Sequence, residues 1–378
     1  MSSLPSDEAF LTPRQRQEAF EAAFLHPYAM PSSASVRHTP SPEPCPIRSR
    51  FQQDRDRILH SKAFRRLKHK TQVFISPVDD HDRTRMTHSL EVTQVSRTVA
   101  RALRLNEDLT EAIALGHDLG HPPFGHAGEE ALTTIFQDHG GYSHTRQSYR
   151  IATLLEPLNL TQLTLGGMLA QGYQEERMLE STPSFPLFTS LEAEVVKLCD
   201  RMAYLHHDVE DATRAGLIQE HQIPQAITDI LGNSRKERLN TMVLDLIQTT
   251  AHTLQALPQQ TETLGTLTYL QTHASTIVRC SPPVYDSMMA LRRWMFDHVY
   301  HHPLQLENKA RVERLLQHLS AYYTCHPEAL PLCYSPEGEF AHLPLPQRIL
   351  DYLSGMSDRF AVMTFEKTHM PHQHHPMP

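Results

Sequence analysis

Gly116-His-Asp-Leu-Gly-His-Pro-Pro-Phe-Gly-His-Ala-Gly-Glu-Glu130 concentrates three histidines and three carboxylates around a chain break. Just upstream, Asn106 reads as an N-cap, with the acids Glu107 and Asp108 in the first turn where the helix dipole favours them. Leu109, Ile113 and His117 then recur four apart, which predicts a helix whose buried stripe ends in a histidine. Gly120, Pro122 and Pro123 stop that helix, leaving His121, His126 and Glu129 on an irregular segment above its end. The adjacent pair His117-Asp118 puts an imidazole and a carboxylate within reach of a single ion.

Two further helices complete the picture. Over 85–104, Val92, Val95, Val99 and Ala102 keep helical spacing, and His88 lies one turn before Val92 on the same stripe. A third helix is predicted from a capping box at Thr189-Ser-Leu-Glu192 to Gly216. On it Asp200, Tyr204 and Asp208 form a polar stripe beside the apolar Val195, Leu198, Met202, Leu205 and Val209. Each piece alone has an ordinary reading: a core histidine, a solvated aspartate. Three helices that each bury a polar group on a core-facing stripe need a common partner, because unpaired burial is costly. A cation held by His88, His117, Asp118 and Asp200 meets that need. Such an N/O set suits Mn, Fe, Ni, Zn or Mg and leaves positions for water and substrate.

The rest of the 378 residues is also read as helical, with no internal repeat and no sustained strand alternation, so the expected fold class is all-α. Residues 31–46 are Pro/Ser-rich and cannot hold a helix. We divide the chain into an N-terminal helix and arm (1–50), a core (51–216), a C-terminal helical region (217–361) broken around 325–346, and a His/Pro-rich disordered tail (362–378). No run approaches the ~18 apolar residues of a membrane span, and no secretory signal is visible, so a cytoplasmic protein is expected. The five cysteines are odd in number and hold no Cys-x-x-Cys, against a disulfide framework or thiolate zinc site. A net charge of −8 argues against a nucleic-acid coat protein and leaves nucleic acid only as an effector. Between Ile47 and Arg85, however, eleven Lys/Arg face five acids, and basic residues beside a metal site are what a polyphosphate substrate requires.

These segments occur in a recognisable order: Arg55-Asp-Arg-Ile-Leu-His-Ser-Lys-Ala-Phe-Arg-Arg-Leu67, Lys70-Thr-Gln-Val-Phe74, Arg85-Met-Thr-His-Ser-Leu-Glu-Val92, the 116–130 block, and Cys199-Asp-Arg-Met-Ala-Tyr-Leu-His-His-Asp208. They resemble the HD-domain deoxynucleoside triphosphate triphosphohydrolases, the dGTPase-like family. The likeness extends from about residue 10 to 361, taking in His26-Pro-Tyr-Ala29 and Asp351-Tyr-Leu-Ser-Gly-Met-Ser-Asp-Arg-Phe-Ala361.

The resemblance implies an HD-domain helical fold, with HD motifs over about 85–208, and hydrolysis of a dNTP to the deoxynucleoside and tripolyphosphate. It carries a divalent metal onto His88, His117, Asp118 and Asp200, and catalytic roles onto His126 and Glu129, with His121 facing phosphate. Arg85 and Arg201 fall where basic residues hold the triphosphate, and Tyr204 beside the sugar. Gln72 and Asp208 match groups that bond the 3′-hydroxyl, and His144 matches a further active-site histidine. It also implies a homo-oligomer and a dNTP as allosteric effector. The chain departs from the pattern at His144-Thr-Arg-Gln147 and at Thr164-Leu-Gly-Gly167, outside the metal core, which bears on substrate contacts and regulation. Two other readings stand beside this one: an HD-type nucleotidase or phosphodiesterase, and a nucleotide-sensing scaffold with vestigial catalysis.

Overall fold

The structure, a computed structural model, describes residues 11–40, 44–72, 83–172, 189–258, 269–270 and 273–369. Among them, extended pairing is limited to two isolated bridges, Arg37 with Thr161 and Thr71 with Thr84. The fold is all-α, as expected. Helix α1 (Pro13–Phe24) starts at a Thr12/Gln15 capping box. The Pro/Ser arm that follows holds only a 3-10 turn at Ser32–Ala34. The arm is pinned by the buried Asp54 carboxylate, which takes Arg37 Nη1 at 2.9 Å and the Thr161 and Thr164 hydroxyls. Helices α2 (Arg50–His60), α3 (Lys62–Arg66), α4 (Arg85–Ala102) and α5 (Glu107–Gly116) come next. Then follow α6 (Gly125–Ile135), α7 (His144–Arg150), α8 (Gln162–Ala170) and α9 (Leu191–Arg214).

Helices α4, α5 and α9 pack on one another because their apolar stripes converge. Val92, Val99, Leu109, Ile113, Val195, Met202, Leu205 and Val209 are all fully enclosed in one core. Burying each such side chain is worth roughly 1.5–3 kcal/mol, so the three helices are held by apolar contact along their length. Helices α10 (Gln225–Leu231), α11 (Arg235–Gln255) and α12 (Pro282–Met295) extend the same core. Helices α13 (Pro303–Cys325) and α14 (Leu345–Ser354) do something different. Leu316, Leu319, Ile349 and Leu353 join Phe124, Leu132 and Phe136 in a second core around α6. The segment 217–361 is therefore shared between two cores.

Two details differ from the sequence reading. The cap of α9 is Ser190, whose hydroxyl accepts from Ala193 N, and no Thr189/Glu192 box forms. Glu192 is instead fully buried, and its Oε1 accepts from Met30 N at 3.0 Å and Asn106 N at 3.1 Å. Orphan amides from two distant segments outbid a local helix end that Ser190 already satisfies. Second, the last helix, α15 (Asp358–His369), runs through 362–369, where a disordered tail was expected to begin. Phe365 packs against the second core and steadies that last stretch. Residues 370–378 of the expected tail, and 173–188 of the loop after α8, lie outside the described residues.

Candidate active site

Where α4, α5 and α9 cross, His88, His117 and Asp200 bring one ligand atom each within 4.8 Å of one another. His88 Nε2 lies 2.9 Å and His117 Nε2 3.7 Å from Asp200 Oδ1. His117 Nδ1 donates to the Ala114 carbonyl at 2.7 Å, so its Nε2 lone pair points into the cluster, where it has no hydrogen-bond partner. His88 is oriented from the other side. Tyr300 OH and His207 Nδ1 both donate to Asp208, and His207 Nε2 then accepts from His88 Nδ1 at 2.9 Å. This chain turns His88 Nε2 toward Asp200 and the cluster, a carboxylate–histidine support of the kind metal sites use.

Asp118 adjoins the cluster and is not one of the three. Its Oδ1 is 3.4 Å from His117 Nε2, while Oδ2 takes Arg85 Nη1 at 3.1 Å. Burial acts to raise its pKa, but His117 and Arg85 hold the carboxyl well below the usual range. Asp200, opposed in the same way by burial, is brought down to about 2 by the His88 hydrogen bond and the histidine charges. Two ionised carboxylates, an orphaned buried imidazole nitrogen and a second imidazole make a donor set that fits a divalent cation.

A second cluster stands beside the first: His121, Glu129 and His144. The sequence placed His126 and Glu129 on an irregular segment. The structure corrects this, because α6 begins at Gly125 and carries both. The irregular part is the turn before it, where Phe124 (φ 66°) and Gly125 (φ 58°) are both left-handed. At Gly125 any Cβ would lie 2.2 Å from the Gln72 carbonyl oxygen, so only glycine fits this approach. Glu129 Oε1 accepts from His144 N at 2.9 Å and from His144 Nδ1 at 2.8 Å. Against burial, which favours neutral forms, each partner stabilises the other's charge. The carboxyl of Glu129 falls below its ordinary range, and His144 rises to about 9.

His121 stacks on His144 and is buried; its Nε2 lies 3.8 Å from Glu129 Oε2, and neither ring nitrogen has a hydrogen-bond partner among the described residues. Burial, with the Arg85 charge, lowers its pKa well below the ordinary histidine value. His126 is the exposed member at the edge of the site, and the desolvating protein around it, with Arg85, lowers its pKa as well. Arg85 is thus shared by both clusters.

Along α9 the expected stripe is formed. Tyr204 is half-buried above Asp200, and Asp208 is buried with both carboxylate oxygens engaged, one by His207 and one by Tyr300. Gln72 is buried with its side-chain oxygen unpaired. Arg201 lines a cavity beside this wall with Lys197, Arg279 and Tyr285. Arg292, which sequence reasoning missed, acts electrostatically on both Tyr204 and Tyr300. His207 was missed too, although its place beside Asp208 and its burial on a helix of metal-ligand candidates were signals.

Several arginines of the basic stretch 48–85 are already paired within the fold. Arg48 and Arg55 pair with Asp56, Arg57 donates to the Asn159 carbonyl, and Arg83 joins Glu91, Glu210 and Asp211. These guanidiniums lace the surface together. Of that set, Arg85 reaches the Asp118 carboxylate because helix α4 starts with it at the site's edge, and Lys70 reaches the His121 backbone.

Comparison with known proteins agrees with this geometry. Residues 85–205 match the HD domain and residues 278–367 the phosphohydrolase-associated domain. A deoxyguanosinetriphosphate triphosphohydrolase-like protein of Desulfatibacillum aliphaticivorans is 38% identical over 369 residues, covering 96% of this chain and 99% of that one. Its counterpart in Caldanaerobacter subterraneus is 39% identical over 366 residues, 95% and 96% of the two chains. One from Clostridium perfringens is 37% identical over 365 residues, 95% and 98%. By matched domains and full-length likeness, the chain belongs to the deoxyguanosinetriphosphate triphosphohydrolase-like family of HD-domain hydrolases.

Proposed function

We propose that this hydrolase cleaves deoxynucleoside triphosphates at the α-phosphorus, releasing the deoxynucleoside and intact tripolyphosphate. The observation that carries the reading is the pair of adjoining clusters. One is an N/O set of two buried histidines and a half-buried aspartate that fits a divalent cation, and the other pairs Glu129 with His144 beside the buried His121. A cation held by His88, His117 and Asp200, with Asp118 adjoining, would polarise a phosphoryl oxygen or acidify water there.

The chain's own groups supply the rest. Arg85 and Arg201 neutralise phosphate charge, with Arg292 added to them, and His121 donates its ring N–H to a phosphate oxygen. His126 and Glu129 handle the attacking water and the leaving 5′-oxygen. The proton on His144, held beside Glu129, keeps that carboxylate ionised and fixed in place. Tyr204 stands against a 2′-hydroxyl. Gln72, whose side-chain oxygen is free, and Asp208 receive the 3′-hydroxyl, with Tyr300 giving up its bond to Asp208 as the sugar arrives. The protein acts in the cytoplasm as a homo-oligomer, with a dNTP as its allosteric effector.

Product analysis after incubation with Mn²⁺ and each dNTP, singly and mixed, tests this. Tripolyphosphate with deoxynucleoside is the expected result, and activity only in the mixture would identify activation by a second nucleotide. Pyrophosphate or orthophosphate as the first product overturns the reading in favour of another phosphohydrolase reaction. Equal rates on dGTP and GTP would remove Tyr204 and Asp208 as the basis of sugar selection.

A further inference from the structure

The turn that delivers His126 is strained and is held from outside the HD helices. Phe124 is left-handed although it carries a side chain, and its ring is buried in the second core. A non-glycine residue stays in that conformation only where its surroundings over-determine it. Here the surroundings come from α15 and from the segment before α4. Asp358 Oδ1 accepts from Phe124 N at 2.9 Å, and its Oδ2 accepts from Thr71 N at 2.9 Å and Thr71 Oγ1 at 2.7 Å.

One carboxylate therefore staples the turn to the strip that carries Gln72. That strip is close-fitted in turn: the Gln72 carbonyl abuts Gly125 and accepts from Arg85 Nη2 at 3.2 Å, and Lys70 O accepts from Arg85 N at 3.0 Å. The buried Lys70 ammonium closes the other side, donating to the His121 carbonyl and, at 2.9 Å, to Ser354 O at the end of α14. An anion and a cation thus bracket residues 121–124, and both are anchored on the C-terminal helices.

From this bracket we infer that Asp358, with Lys70, is a positioning residue for the catalytic turn, so that the C-terminal helices take part in setting His121 and His126. The inference rests on the reading that the second cluster performs chemistry. The Asp358 carboxylate bonds Thr71 and Phe124, not His88, His117 or Asp200 on α4, the end of α5 and α9. Misplacing a reacting group by about an ångström costs about 100-fold in rate, and that is the size of effect expected.

The test compares full-length Asp358→Ala and Asp358→Asn with the unaltered protein by kcat, KM, metal content and amide hydrogen exchange. In Asp358→Ala, exchange over residues 121–128 should rise about tenfold for the lost charge-assisted bonds, with α4 and α9 unchanged. The rate constant kcat should fall about 100-fold with KM and metal content held. Asp358→Asn keeps one acceptor oxygen and should fall between. Unchanged exchange in the turn, or unchanged kcat in a folded Asp358→Ala protein, overturns the inference. So does parallel loss of kcat, metal and melting temperature, which would mark a purely structural role. The exchange readout is independent of substrate, so an unaltered protein that is inactive on every dNTP would sink the substrate reading while leaving the clamp to be judged by exchange.

Discussion

The two halves of the site are built by opposite means. His88, His117 and Asp200 are side chains of regular helices or their ends, and apolar stripes on α4, α5 and α9 hold them in register. His121, Glu129 and His144 are brought together by a left-handed turn, an ion pair and long-range polar ties to α14 and α15. The metal half is stable because three helices cannot slide without opening a core. The second half is held by polar groups paired across the chain, while the His121 ring nitrogens stay without a hydrogen bond among the described residues. Directional polar contacts place reacting groups accurately but fail singly, whereas a core fails only cooperatively.

The sharpest way to break the comparison is at the metal half. His117→Ala and Asp200→Ala should each lose bound metal and cut hydrolysis by about a thousandfold or more, measured by metal content and product release. Glu129→Ala should separate the halves. Metal stays, while kcat falls about 10²–10⁴-fold; loss of metal in this variant would mean that the two clusters are one unit.

A pH series sharpens the same point. His144 is raised to about 9, so its contribution to stability is complete below the ordinary histidine value of 6.5 and is lost as pH rises through about 9. Glu129 is shifted the other way, and its contribution is present above the ordinary carboxylate value and disappears as acid protonates it. The melting temperature of the unaltered protein should therefore drop from pH 6.5 to 9 more than that of Glu129→Gln.

His207→Ala is the next smaller change. It removes the support behind His88, so metal affinity should weaken about 10–100-fold, with activity recovered at saturating metal. Failure to recover would show that His207 serves the chemistry directly. The smallest kinetic effect is expected from Glu192→Ala, which orphans the buried Met30 and Asn106 amides far from the clusters. It should lower unfolding free energy by about 2–4 kcal/mol in denaturant titration and leave kcat nearly unchanged.

Much of the metal half was legible because helical periodicity is a local code. The spacing Leu109, Ile113, His117 and the placing of His88 before Val92 predict burial, and both histidines are buried. The departure at Thr164-Leu-Gly-Gly167 also becomes intelligible as packing. Gly167 faces Ile113, and the neighbouring Met168 packs over Gly116, the residue before His117. Less legible was the turn, since glycines and prolines announce a break without saying where the next helix starts. The basic stretch was legible only as charge, since charge density in a sequence does not tell that Arg48, Arg55 and Arg83 already have carboxylate partners.

By itself the sequence determined the all-α class, the three helices that meet at His88, His117 and Asp200, and most of their inward-facing residues. These follow from side-chain period and capping chemistry, which act within a few turns. Ala102, expected on the stripe of α4, is exposed at that helix's end. Only the tertiary structure decided that Glu192 ties the arm to α5, that His207 bonds His88, and that Asp358 and Lys70 bond the turn at 121–124. Such pairings join residues up to 287 positions apart. Buried amides, imidazoles and carboxylates are satisfied by whichever partner the packed core brings near, and nothing in local periodicity encodes that choice.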